Sequence, residues 1–178
     1  MPTGHVFIAT SLDGFIARKD GALDWLILPE HATEDHGYAR FIKDIDAIVM
    51  GRGSFEIVKA FDPWPYDKPV LVLSHRLARA DIPDRLQDKV TVANLTPQAA
   101  MAHLGQQGAR RVYVDGGRVV QSFLREGLIA DMVLSRIPVL IGEGISLFGA
   151  TGRDIHFVHE ASDSFPSGLV QSRYRLKS

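Results

Sequence analysis

The feature that most constrains this chain is an alternation of short apolar runs with longer segments of mixed polarity. Six runs rich in β-branched residues are separated by stretches long enough for a helix, which is the pattern of strands joined by crossover helices. The strands that these runs predict span residues 5–10, 47–50, 70–74, 90–93, 111–114 and 132–140. Most of the runs are continuously apolar, as expected where helices cover both faces of a parallel sheet. The alternation therefore predicts an α/β fold.

The segments between the strands carry the helices, and the last quarter of the chain changes character. Helices are predicted over residues 30–44, 54–60, 97–107 and 118–126. After residue 129 no helical pattern recurs, and residues 155–160 and 169–176 read as two strands around a turn that contains Pro166 and Gly168. We expect a mostly parallel sheet that ends in an antiparallel hairpin, within a single domain over residues 1–178.

The charge balance and the absence of cysteine exclude several kinds of partner and cofactor. The chain has 20 basic and 21 acidic side chains, and the basic ones are scattered, so it offers no positive stripe for nucleic acid. It has no cysteine, and its seven histidines lack the spacing of metal ligands, so we predict no metal site. The N-terminus lacks the pattern of a secretory signal, and no apolar run approaches the ~20 residues of a membrane span. We therefore expect a cytoplasmic protein with no membrane partner.

A first candidate site is the corner between the strand at residues 47–50 and the helix that follows it. Gly51 and Gly53 allow a ligand to approach the backbone, and the start of a helix presents free N–H groups and positive potential. Arg52 and Ser54 add side-chain donors for a phosphate. An ordinary tight turn with a serine cap is the alternative.

A second corner has the same arrangement, with Gly116, Gly117 and Arg118 between a strand and an amphipathic helix. Adjacent glycines at a helix start let backbone donors converge on a pyrophosphate. No third glycine follows in register, so this is not the GxGxxG fingerprint of a Rossmann domain. A purely structural pair of glycines is the alternative here.

A third candidate is the loop after the first strand, which mixes polar residues and glycines with Phe15, Ile16 and Trp25. The carboxyl ends of parallel strands are where open α/β sheets bind ligands, so the pattern favours a mobile flap over a ligand. A plain surface loop is the alternative. His75, which follows Ser74 at another strand end, could also contact a ligand.

Taken together, these segments resemble the dihydrofolate reductase-like superfamily over nearly the whole chain. Four segments carry the resemblance in the right order, at residues 8–17, 49–56, 70–74 and 114–118. A fifth, PVLIGEGISLF at residues 138–148, is typical of the branch that contains the C-terminal reductase domain of the riboflavin-biosynthesis deaminase–reductase. The resemblance implies a three-layer α/β/α domain with a mostly parallel central sheet.

The resemblance also implies an NADPH-dependent reductase and assigns roles to individual residues. Backbone groups of Ala9 and Ile16 would hold the nicotinamide carboxamide. Ser74, with His75 or Arg76, would receive the 2′-phosphate. The two glycine corners would bind the phosphates and the adenosine side, through Gly51, Arg52, Gly53, Ser54, Gly116, Gly117, Arg118 and Val119.

The proton donor and the substrate are left open by the resemblance. Asp35 lies nearest to the carboxylate that contacts the pterin in folate reductases, and Asp13 matches an aspartate of the flap, although Glu34 and Asp35 could equally be surface charges. Folate reductases hold the glutamate tail with an arginine where this chain has Lys68, which weakens a folate substrate.

Three functions follow as candidates. We expect a homodimeric, NADPH-dependent oxidoreductase that transfers hydride to a small nitrogen heterocycle or a pyrimidine ribosyl phosphate. Dihydrofolate reductase is the alternative within enzymes. A noncatalytic NADPH-binding module is the alternative from another class.

Overall fold

The computed structural model describes residues 1–27 and 33–177, and it contains one large sheet, one small sheet and flanking helices. The strands are β1 Thr3–Thr10, β2 Phe15–Ala17, β3 Ala47–Gly51, β4 Val70–Leu73, β5 Val90–Ala93, β6 Arg111–Asp115, β7 Ile129–Arg136, β8 Ile145–Ser146, β9 Phe157–Ser164 and β10 Val170–Leu176. The helices are α1 Tyr38–Lys43, α2 Arg52–Val58, α3 Pro97–Gln106 and α4 Gly117–Arg125. Two 3₁₀ turns, Arg79–Asp81 and Asp84–Leu86, precede β5.

The large sheet has the strand order β5-β4-β3-β6-β1-β7-β10-β9. The first six strands in this order are mutually parallel, and β10 runs antiparallel to both β7 and β9. The predicted α/β fold with an antiparallel C-terminal hairpin is therefore confirmed. β9 forms one edge of the sheet.

Each face of the sheet is covered by its own apolar core. On one face, α3 and α4 pack Met101, Leu104, Val120 and Phe123 against the strands. On the other face, α1, α2 and the 3₁₀ turns pack against the sheet around the fully buried Phe55. The central strands β3 and β4 are buried along nearly their whole length and are continuously apolar, as the sequence predicted.

Three predicted elements differ from the observed ones by four residues or more at one end. One is the strand predicted over residues 155–160, which is β9 at Phe157–Ser164. The helix predicted over residues 30–44 is a short α1 at Tyr38–Lys43, preceded by turns, while residues 28–32 lie outside the described part of the chain. The strand predicted over residues 132–140 begins at Ile129 and ends at Arg136. Pro138 has no N–H to donate to a neighbouring strand, so the ladder stops before it.

β1 and β6 separate toward their carboxyl ends. Their paired register runs only from Thr3↔Arg111 to His5↔Tyr113, whereas β1 and β7 stay paired as far as Thr10↔Arg136. The separation leaves a crevice at the carboxyl edge between β1 and β6. In open α/β sheets this kind of crevice is where ligands bind.

No helix within residues 1–27 and 33–177 is long and apolar enough to cross a lipid bilayer.

Candidate active site

Strand register brings the predicted corners together at the carboxyl edge of the sheet. Met50 lies opposite Asp115, which places the corner after β3 beside the corner after β6. Gly51 lies opposite Leu73, so the segment that follows β4 is the next neighbour. Three segments that are distant in sequence therefore line one edge.

The corner after β3 is open. The side chain of Arg52 is exposed, and a Cβ built on Gly53 would meet no heavy atom within 4 Å. Gly51, which precedes α2, has extended backbone with φ −86°. The space beside Gly53 is thus available to a ligand.

The corner after β6 is filled by the protein itself. A Cβ on Gly116 would lie 2.4 Å from Ser54 Oγ, and a Cβ on Gly117 would lie 2.5 Å from the carbonyl oxygen of Ser146. Gly116 also has φ +88°, which non-glycine residues rarely adopt. These two glycines therefore have a packing role, and Arg118 is the exposed member of the corner.

The segment after β4 is held by Ser74. Its Oγ accepts hydrogen bonds from the backbone N–H groups of Arg76, at 3.1 Å, and Leu77, at 3.0 Å. The side chains of His75 and Arg76 are exposed. Arg76 therefore extends into solvent from a fixed turn, next to the open corner.

The loop after β1, predicted as a mobile flap, is tied down at several points. The fully buried Ser11 donates to Asp13 Oδ1 at 2.6 Å, and Asp13 accepts the backbone N–H groups of Ile141, at 3.3 Å, and Gly142, at 2.8 Å. The hydrogen bond from Ser11, reinforced by the two backbone donors, lowers the pKa of Asp13. Asp13 therefore stays ionised and holds the loop after β7.

Ala9 and Ile16 occupy different positions relative to the crevice. Ala9 lies near the end of β1, paired with Ser135 on the β7 side, beyond the point where β1 leaves β6. Ile16 lies in β2, and its Cδ1 would be 3.2 Å from a Cβ on Gly117. Ala9 thus lies at the crevice, and Ile16 lies against the filled corner.

Asp35, the other predicted acid, is exposed and precedes α1. Its Oδ1 accepts the backbone N–H of Gly37 at 2.8 Å. The neighbouring Glu34 pairs with His36 at 2.9 Å and accepts two hydrogen bonds from Ser167, which lower the pKa of Glu34. Both carboxylates are used in local structure.

The sequence interpretation gave no role to Asp115, which ends β6 between the two corners. Loss of hydration raises the pKa of its carboxyl, against opposing hydrogen bonds from Tyr113, Ser54 and the Gly116 backbone. The Tyr113 hydroxyl contacts Asp115 Oδ1 at 3.1 Å and the carbonyl of Phe7 at 3.0 Å, so it bridges the crevice. Among the described carboxyls at this edge, Asp115 is the one whose pKa is raised by burial.

The charge of this carboxyl acts on two further tyrosines. Burial, followed by the charge of Asp115, raises the pKa of Tyr38 to about 12. The same two causes raise the pKa of Tyr66 well above its ordinary value. Both side chains are half-buried and pack on the same core as Phe41 and Trp64.

The residues at the edge fit a phosphorylated dinucleotide. Arg52, Arg76 and Arg118 are exposed on three adjacent segments, and a bidentate guanidinium suits phosphate oxygens. The start of α4, at Gly117, has no side-chain cap, which leaves backbone donors for an anion. The open space beside Gly53 gives a ligand close access to the backbone.

The fold is the three-layer α/β fold of dihydrofolate reductase-like domains, with the antiparallel hairpin as its final element. The RibD C-terminal domain family matches residues 2–170, so the chain belongs to this family. The match includes all of β1 and ends at Val170, the first residue of β10.

Comparison with known proteins finds relatives that match most of this chain. The Bacillus subtilis protein YwjB is 38% identical over 148 residues, which are 80% of each chain. The riboflavin biosynthesis protein RibD of Corynebacterium ammoniagenes is 30% identical over 155 residues, which are 78% of this chain and 44% of that protein. The chain thus corresponds to less than half of that RibD.

Among solved structures, a putative riboflavin biosynthesis protein from Shewanella sp. PV-4 superposes with a TM-score of 0.91 at 39% identity, covering 99% of both chains. A pyrimidine reductase-like protein from Corynebacterium diphtheriae superposes with a TM-score of 0.65 at 19% identity, covering 99% of this chain and 92% of that one. The second similarity concerns the fold alone. The reductase resemblance seen in the sequence is therefore confirmed at the level of the family.

Proposed function

We propose that this protein is an NADPH-dependent oxidoreductase that transfers hydride to a small nitrogen heterocycle or a pyrimidine ribosyl phosphate. The observation that carries the proposal is the position of Asp115. Its carboxyl, with a raised pKa, ends β6 at the crevice where β1 and β6 separate, between an open and a filled glycine corner. Family membership supports the class of reaction.

The cofactor phosphates would lie along the edge formed by the three segments. Arg52 and Arg118 would bind the pyrophosphate, and Ser74 would hold the turn from which His75 and Arg76 reach the 2′-phosphate. The backbone of Ala9, at the crevice, and that of Ile16 would hold the carboxamide. When bound, NADPH supplies the hydride.

The chain supplies the proton. Reduction of a ring C=N bond needs one proton for each hydride, and a carboxyl with a raised pKa is better suited to donate it than one with a lowered pKa. Burial raises the pKa of Asp115, whereas hydrogen bonds lower the pKa of Asp13. After donation, the Asp115 carboxylate would accept hydrogen bonds from Tyr113 and Ser54 and then regain a proton from water.

The experiment is a screen for NADPH oxidation with pterins, folates, pyrimidine ribosyl phosphates and flavins, run with the parent and with Asp115→Asn. We expect turnover with one class in the parent and loss of turnover in the variant. Turnover with dihydrofolate would identify a folate reductase instead. Saturable NADPH binding without oxidation of NADPH by any heterocycle would favour a noncatalytic binding module.

A further inference from the structure

The hydroxyl of Tyr113 lies where β1 and β6 stop pairing. Tyr113 is the last β6 residue in register with β1, and its side chain is buried. Its ring packs edge-on against that of Phe41, with centroids 5.2 Å apart. The hydroxyl oxygen lies 3.0 Å from the carbonyl oxygen of Phe7 on β1 and 3.1 Å from Asp115 Oδ1 on β6. A ring held by packing thus places one hydroxyl between two acceptors.

The carbonyl of Phe7 faces the crevice. The N–H of Thr3 donates to the carbonyl of Arg110, which precedes β6, at 2.9 Å. The N–H of Gly4 donates to the carbonyl of Leu128, which precedes β7, also at 2.9 Å. Because backbone groups alternate between the two sides of a strand, Phe7, four residues after Thr3, presents its backbone groups toward β6. The register of β1 with β6 ends two residues before Phe7, so its carbonyl opens on the crevice.

Tyr113 has one hydrogen for these two contacts. A phenol hydroxyl donates one hydrogen, whereas a backbone carbonyl and an ionised carboxylate only accept. The hydroxyl therefore cannot donate a full hydrogen bond to Phe7 and to Asp115 at the same time. Burial, followed by the charge of Asp115, raises the pKa of the Tyr113 phenol well above its ordinary value, so the phenol retains this hydrogen. The charge on Asp115 then decides which acceptor receives it.

The carboxyl of Asp115 has hydroxyl and amide partners rather than a cation. Hydrogen bonds from Tyr113, Ser54 and the next backbone N–H act on it. The other titratable side chains that respond to its charge are Tyr66 and Tyr38. Among the ion pairs of the described residues, none includes Asp115. A negative charge that forms on this carboxyl is therefore stabilised by hydroxyl and amide dipoles.

We propose that Tyr113 is a positioning residue for proton transfer, whose single hydrogen lies on Phe7 while Asp115 is protonated and turns to Asp115 when the carboxyl ionises. The inference rests on the proposed function, in which the proton of Asp115 passes to the substrate and is replaced from water. The phenol keeps its own proton throughout and changes only the acceptor. Donation to the carboxylate therefore develops as the proton leaves, and the Phe7 carbonyl becomes a free acceptor at the crevice.

The test follows two carbons by carbon-13 NMR in the ligand-free protein, the carboxyl carbon of Asp115 and the carbonyl carbon of Phe7, between about pH 4 and about pH 9. We expect both resonances to change with one apparent pKa, because the hydrogen leaves Phe7 as Asp115 ionises. A Phe7 resonance that stays constant over this range overturns the proposal. The measurement needs neither a substrate nor a variant.

The variant Tyr113→Phe removes the hydroxyl and keeps the ring. The pKa of Asp115 should rise by about one unit, a tenfold change in its ionisation constant, because the carboxylate loses a hydrogen-bond donor. The Phe7 resonance should lose its response to pH. Tyr174→Phe, on β10 beside His159, is the matched control and should reproduce the parent. An unchanged pKa of Asp115 in Tyr113→Phe contradicts the proposal.

Activity gives a second readout, with the substrate class that turns over in the screen. In Tyr113→Phe the pH above which kcat falls should rise by about one unit, kcat on the acid side should fall about fivefold, and the KM for NADPH should stay constant. A lower kcat with an unmoved pH profile would show a merely structural role and count against the proposal. Absence of turnover in the parent contradicts the proposed function instead, whereas the NMR titration still decides the role of Tyr113.

Discussion

The two glycine corners look alike in sequence and differ in the folded protein. At the corner after β3, the volume beside Gly53 is empty. At the corner after β6, the volumes beside Gly116 and Gly117 are taken by Ser54 and by the backbone of Ser146. Glycine is therefore required for chain packing at the second corner, whereas at the first corner the backbone borders free space that a small side chain could enter. The two corners touch each other, since Ser54 belongs to the first and packs on Gly116 of the second.

The difference decides which substitutions report on binding. A side chain at Gly117 must displace the β8 backbone, so any loss of cofactor binding would be mixed with a change in fold. A side chain at Gly53 enters free space, so a change in NADPH affinity in a Gly53 variant reports on binding and not on a change in the fold.

The largest effect is expected between the corners, at Asp115. Asp115→Asn keeps the shape of the side chain and removes the proposed proton donor, so kcat should fall by about 100-fold or more in steady-state NADPH oxidation. Because burial raises the pKa of Asp115, its protonated carboxyl stabilises the fold at pH values below the ordinary pKa of 3.8. This stabilisation is lost as the pH rises through the higher pKa of the folded state.

The stability of Asp115→Asn at neutral pH should consequently equal or exceed that of the parent in urea unfolding. A variant that loses both turnover and stability would show a structural role for this carboxyl, and full turnover would exclude it as the proton donor.

The next effect tests the filled corner. Gly117→Ala should lower the free energy of unfolding by about 3 kcal/mol, because the new methyl group overlaps the carbonyl of Ser146. Gly53→Ala is the control and should leave stability unchanged or slightly higher, since alanine favours helices and meets open space. Equal stabilities in urea titrations of the two variants would remove the distinction between the corners.

A smaller effect is expected at the exposed arginine of the filled corner. Arg118→Ala should raise the Kd for NADPH about tenfold, or ~1.4 kcal/mol, with little change in stability. Arg125→Ala, at the other end of the same helix and also exposed, is the control for charge. If calorimetry gives both variants the affinity of the parent, the pyrophosphate does not lie at this corner.

The smallest effect concerns the loop that covers the filled corner. Asp13→Asn weakens the hydrogen bonds to Ile141 and Gly142, and the melting temperature at neutral pH should fall by about 2 °C. Because the pKa of Asp13 is lowered, its contribution is present above the ordinary value of 3.8 and is lost as the pH falls through the lower folded value. The difference between variant and parent should therefore disappear in acid, and a difference that persists there would contradict this explanation.

Much of the fold followed from local pattern, because strands buried on both faces are continuously apolar. Elements fixed by tertiary contact were missed. β2 and β8 are three and two residues long, too short for a period, and they form because Phe15 pairs with Ser146. The strand predicted to run to residue 140 ends at Arg136, because Pro138 has no N–H with which to continue the ladder.

The site shows the same division. The glycine and arginine motifs could be located from the sequence, and the register of β3, β4 and β6 brings them to one edge. Asp115 lies in the segment at residues 114–118, but the sequence predicted no role for it. Its pKa depends on burial and on a hydrogen bond from Ser54, which is distant in sequence. The distinction between open and filled corners likewise depends on atoms of Ser146 that no local pattern indicates.

If the open corner after β3 is the ligand side of an NADPH site, Gly53→Asp and Gly53→Ala should differ in their affinity for NADPH at one fixed ionic strength. The aspartate places a negative charge close to the proposed phosphates, where repulsion at roughly 8 Å with an effective dielectric constant of about 20 amounts to ~2 kcal/mol. We predict about 30-fold weaker binding by Gly53→Asp and unchanged binding by Gly53→Ala. Equal affinity of the two variants for NADPH would contradict the account.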